Sequence, residues 1–171
     1  MKQALNKSRV TVTTRGDLAN QAPRTDVAVV VFLDPADAPF LNDWVEESQD
    51  GRWGLFEHFV MLDTSIPSNQ WRRVLKPKWW QPGPAALIRQ QLANGPNLAH
   101  AQRMVGLFPS LAKHPEVIFA CTYGKSRSKI AAEAFEAWLK KNPMALPATL
   151  RERNPWWAHL LEEATNRTAK A

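Results

Sequence analysis

The sequence predicts an α/β domain with a central, mostly parallel sheet flanked by helices. The first observation is the run V-A-V-V-V-F-L (27–33), which is apolar throughout and rich in β-branched residues, as a strand buried on both faces requires. The second is a pair of further strand-like segments, F-E-H-F-V-M-L-D (56–63) and E-V-I-F-A-C (116–121). The third is the helical periodicity between and after them, and strands alternating with helices make layers of this kind.

The elements follow in order. Residues 1–25 are basic, with Asp17 the one acid, and read as a flexible N-terminal segment, although V-T-V-T-T alternates as a short edge strand does. After the first long strand, D-P-A-D-A-P-F-L-N-D-W-V-E-E (34–47) opens with an Asp-Pro helix start and sets Phe40, Leu41, Trp44 and Val45 at helical spacing. The strand at 56–63 ends on Asp63. Residues 64–97 form a Trp- and Pro-rich insertion or lid, whose prolines break any regular element. Its later part, 85–94, and the segment 98–113 are helical in pattern, separated by N-G-P-N. The strand 116–121 leads into S-K-I-A-A-E-A-F-E-A-W-L-K-K (128–141), a helix with Ile130, Ala131, Ala134, Phe135, Trp138 and Leu139 on one stripe. A last helix, W-W-A-H-L-L-E-E-A (156–164), follows an Asn-Pro turn, and 165–171 is a C-terminal tail. The domain therefore runs over 26–164.

Composition narrows the function classes. The chain of 171 residues is 44% hydrophobic and 22% charged, the balance of a folded domain rather than a disordered one. No apolar run approaches the roughly 18–20 residues that a membrane span needs, and the start has no apolar core of a secretory signal. The single cysteine, Cys121, excludes an internal disulfide framework, and the four histidines show no metal-ligand spacing. These features make the cytoplasm the expected compartment and point to no metal and no organic cofactor. A formal net charge of +6 favours anionic partners.

The chemistry concentrates in F-A-C-T-Y-G-K-S-R-S-K-I (119–130). A turn between a strand and a helix presents successive backbone N–H groups to one point, and the helix start adds unsatisfied donors and a positive dipole end. Gly124 permits a positive φ. Arg127 offers two parallel hydrogen bonds to phosphate oxygens. A thiol in that field is acidic and nucleophilic. The competing assignment, a nucleotide-binding Walker loop around G-K-S, fails because Phe119 stands where that motif has its first glycine. The other reading of Cys121 is a buried structural residue.

C-T-Y-G-K-S-R-S resembles the C-x5-R-[ST] signature of cysteine-based protein tyrosine phosphatases, and its C-x-x-G-x-S-R-S form resembles the dual-specificity branch. The resemblance spans 26–164, with its motif in 117–139. It implies a phosphatase-type phosphate-binding loop in which Cys121 is the nucleophile and Arg127 clamps the phosphate. Ser128 would assist the thiolate's departure, and the backbone of Thr122, Tyr123, Gly124, Lys125, Ser126 and Arg127 would bind the phosphate oxygens. It also implies a general acid on a loop after an upstream strand. Asp63 in F-V-M-L-D-T-S fits best, with Asp34 and Asp37 as weaker candidates. The closing R-E-R-N-P-W-W-A-H-L-L-E-E resembles the family's last segment, a Pro/Asn turn leading into a helix packed under the catalytic loop. One position departs from the pattern: Ala120 stands where the family usually has a histidine that orders the loop and tunes the thiol.

The resemblance implies hydrolysis of phosphorylated proteins, through phosphotyrosine or dual specificity. Two alternatives stay open. One is a weakly active or inactive module that keeps the phosphate cradle. The other is a phosphatase of RNA 5′ ends or inositol phosphates, which Lys125 within the loop would suit. W-R-R-V-L-K-P-K-W-W (71–80) interleaves cations with tryptophans, so it fits nucleic acid as well as a core-packed insertion.

Overall fold

The structure, a computed structural model, describes residues 8–63 and 93–168, apart from the side chain of Phe40. The insertion as far as residue 92, with the basic segment 71–80 and most of the expected helix 85–94, lies outside the described residues, as do 1–7 and 169–171.

The described chain is α/β, with a four-stranded, all-parallel sheet flanked by helices. Its strands are β1 (Arg9–Thr14), β2 (Val27–Leu33), β3 (Leu55–Val60) and β4 (Glu116–Cys121), in the order β1-β4-β2-β3. The helices are α1 (Arg15–Ala19), α2 (Ala38–Gln49), α3 (Leu98–Leu111), α4 (Arg127–Leu139), α5 (Ala148–Arg153) and α6 (Pro155–Thr168). No helix among the described residues is long and apolar enough to cross a membrane.

The uniform apolarity of β2 has a direct cause: all seven of its residues are buried, because period-two alternation sends them to both faces of the sheet. Ala28, Val30 and Phe32 join Phe59, Phe119 and Cys121 in the larger core, under α3, α4 and α6. Val27, Val29, Val31 and Leu33 join Leu18, Val45, Trp53 and Ile118 in a second core on the opposite face. Each buried aliphatic or aromatic side chain contributes roughly 1.5–3 kcal/mol, so this strand organises both layers.

The N-terminal segment read as flexible holds, from Arg9 onward, an edge strand and a helical turn. The alternation at Val10–Thr14 is strand β1, paired with β4 from Arg9↔Glu116 to Thr14↔Cys121. The strand expected over 56–63 is regular over Leu55–Val60, and Met61, Leu62 and Asp63 continue past it. Parallel pairing then delivers three sequence-distant residues to one edge: Asp34 just after β2, Asp63 beyond β3 and Cys121 at the end of β4. Open α/β sheets characteristically bind ligands outside the carboxyl ends of their strands.

Candidate active site

The turn after β4 folds as its residues dictate. Gly124 has φ +63°, a left-handed value that side-chain-bearing residues adopt at a cost. A Cβ at this position would also lie 3.0 Å from the Thr13 carbonyl carbon and oxygen, so the turn passes tightly against the end of β1. The chain enters α4 at Ser126, whose hydroxyl does not cap the helix but donates to Asp63 Oδ1 at 2.8 Å.

Cys121 is buried within the larger core cluster, yet its sulfur has polar neighbours. Ser128 Oγ lies 3.0 Å from Sγ. Burial pushes the thiol pKa up. The Ser128 hydroxyl, the backbone N–H groups of Ser128 and Ser126, and the charge of Arg127 pull it down, and together they win, leaving the thiol more acidic than an ordinary cysteine. A structural cysteine packed only among apolar groups would be shifted the other way.

Arg127 is a buried arginine, its side chain 2% exposed. Nη1 donates to the Met61 carbonyl at 2.6 Å, fixing the guanidinium to the chain just beyond β3. The two terminal nitrogens face the Asp34 carboxylate, Nη1 at 3.1 Å from Oδ1 and Nη2 donating to Oδ2 at 3.1 Å. Thr122 Oγ1 donates to the same Oδ2 at 2.8 Å. Nε has no hydrogen-bond partner among the described residues; Asp63 Oδ2 lies 3.7 Å away. A buried guanidinium with one unspent donor has capacity left for an anion.

The closing segment supports this loop from beneath. Asn154, fully buried, donates through Nδ2 to Asp63 Oδ1 at 2.7 Å and accepts from the Trp157 backbone N–H at 3.0 Å. The buried Trp157 donates from its indole to the Arg127 carbonyl at 3.2 Å. Arg153 Nη1 donates to the Lys125 carbonyl at 3.2 Å.

Among the residues singled out in the sequence, Cys121, Ser126, Arg127, Ser128 and Asp63 are brought together. Thr122 turns toward Asp34, while Tyr123 and Lys125 are exposed, Tyr123 at 74%. Asp37 pairs instead with Arg15 at 2.8 Å. Sequence reasoning missed the pairing of Asp34 with Arg127 and the bridge through Asn154. The first had only the weak signal of an acid after a strand, and the second that of an Asn-Pro turn. Among the described residues, no group of three or more His, Cys, Asp or Glu side chains is placed to hold a metal ion. No protein-family model matches the chain, and no curated protein or solved structure matches it.

Proposed function

We propose that this chain is a phosphomonoester hydrolase that works through a phosphocysteine intermediate, with phosphotyrosine or dual-specificity protein substrates, acting in the cytoplasm. The observation that carries the reading is the surroundings of Cys121: a hydroxyl, two backbone N–H groups and a buried arginine act on one acidified sulfur at a strand–turn–helix junction.

In the first step the Cys121 thiolate attacks phosphorus and the ester P–O bond breaks. Asp63 supplies the proton to the leaving oxygen. Arg127, through its Nε edge, and the loop amides hold the phosphoryl oxygens. In the second step water attacks phosphorus, Asp63 takes the water's proton, and the S–P bond breaks to return thiolate and inorganic phosphate. The Ser128 hydroxyl stabilises the departing sulfur by hydrogen bonding. Tyr123 and Lys125, exposed beside the loop, are available to the remainder of the substrate.

The test is hydrolysis of an aryl phosphate by the wild type, Cys121→Ser and Asp63→Asn. Activity is expected in the wild type and none in Cys121→Ser. Asp63→Asn is expected to lose about 10²-fold in kcat on phenyl phosphate and far less on p-nitrophenyl phosphate, whose leaving group departs without a proton. A folded wild type with no activity would overturn the hydrolase reading. The second reading, a phosphate-binding module without turnover, would then stand. It draws support from the unpartnered Nε of the buried Arg127, which can take an oxyanion without any proton transfer.

A further inference from the structure

The guanidinium of Arg127 has two edges able to grip a flat or tetrahedral anion: the end-on edge of Nη1 and Nη2, and the side-on edge of Nε and Nη2. The Asp34 carboxylate fills the first, with both of its oxygens 3.1 Å from the terminal nitrogens. The Met61 carbonyl takes a further hydrogen of Nη1. Both acceptors sit just past strands of the same parallel sheet, so they are rigidly placed. Asp34 also accepts from Thr122, the residue directly after the nucleophile, and so fastens the start of the turn and its arginine to one point on the sheet. The other edge carries Nε, which has no hydrogen-bond partner among the described residues; on this side Nη2 makes a long 3.4 Å contact to Thr122 Oγ1, and Asp63 Oδ2 stands 3.7 Å from Nε, beyond hydrogen-bond distance.

We infer that Asp34 is a positioning residue: it takes the end-on edge of Arg127 and so dictates that an oxyanion above Cys121 is bound side-on, through Nε and Nη2. This rests on the proposed phosphate site, but not on turnover. It is distinct from the role of general acid, which the proposed function gives to Asp63. Electrostatics alone gives the opposite expectation. Removing a carboxylate from beside the arginine reduces the negative charge of the site, so without a positioning role an anion would bind more tightly after the substitution.

The sign of the change therefore decides. The measurement is protection of Cys121 from iodoacetamide by inorganic phosphate and by tungstate, in the wild type, Asp34→Ala and Asp34→Asn. Protection is expected to need about tenfold or more oxyanion in Asp34→Ala, the loss of a charge-assisted pair. Asp34→Asn, which keeps one acceptor oxygen, is expected to fall between. The alkylation rate of each variant without oxyanion is the reference against which its protection is read, because Asp34 holds Arg127, whose charge acts on the thiol. Asp34→Ala leaves a buried arginine without its partner and can unfold the chain; Asp34→Asn, of the same shape, then carries the test alone. Equal or tighter oxyanion binding in the variants overturns the positioning role and leaves the phosphate site standing. Loss of thiol reactivity together with oxyanion binding also overturns it, in favour of a general structural role. A wild-type Cys121 that no oxyanion protects overturns both this inference and the proposed function.

Discussion

At the scale of single residues, the chemistry turns on whether Cys121 is a thiolate at working pH. Its burial opposes ionisation, and the Ser128 hydroxyl is the largest influence in favour. A lowered pKa means that thiolate persists as the pH falls, so the wild type should react with iodoacetamide at a pH where a free cysteine is protonated. Ser128→Ala removes that hydroxyl and should move the midpoint of the alkylation–pH profile upward. The difference in rate should be largest below the pH at which a free cysteine ionises and should vanish at alkaline pH, where both proteins are thiolate. Coincident profiles would mean that the hydroxyl does not tune the sulfur. Cys121, Gly124, Arg127 and Ser128 were legible in the sequence because they lie within one turn, where spacing and chemistry are read together. Asp34 was not, because its pairing with Arg127 joins residues 93 positions apart and depends on which strands become neighbours.

At the scale of elements, the turn after β4 is shaped as much by β1 as by its own residues. Gly124 combines φ +63° with a 3.0 Å approach to the backbone at Thr13, so a methyl group meets both backbone strain and a neighbour that belongs to a paired strand. Gly124→Ala should destabilise the fold by about 1–2 kcal/mol from the left-handed conformation alone, and by more from the contact. Urea unfolding measures the cost. A midpoint equal to the wild type would mean that the turn relaxes freely, and then the loop is not held against β1. The long apolar strand β2 and the striped helix α4 were readable because each carries its own periodicity over many residues. Strand β1 offered only a short Thr-rich alternation; its order comes from pairing along β4, a contact far away in sequence. Helix α5, six residues long, is too short for a period to establish itself.

At the scale of the whole molecule, the last helix and the turn after β4 form one body. The sequence pattern indicated a closing helix, the resemblance implied its place beneath the loop, and in α6 the fully buried Trp157 donates from its indole to the Arg127 carbonyl. What the sequence did not indicate is that Asn154, besides capping α6 through the Trp157 N–H as an Asn before a Pro does, also holds Asp63 through its amide, because that bond joins residues 91 positions apart. This arrangement makes loop geometry depend on the packing of the C-terminal helix. Trp157→Phe keeps most of the buried ring but removes the indole donor, so the Arg127 carbonyl loses the bond that ties α4 to the closing helix. The expected cost is about 0.5–1.5 kcal/mol, the net contribution of one hydrogen bond. Because that carbonyl belongs to the residue proposed to hold the phosphate, the same variant should also bind phosphate more weakly. Unfolding followed by far-ultraviolet circular dichroism and by the loss of phosphate protection at Cys121 should give coincident transitions in both proteins, shifted together to lower urea in the variant, as one cooperative unit requires. If protection is lost at lower urea than the helical signal, the loop opens while the sheet and helices remain folded, and the closing helix does not govern the site.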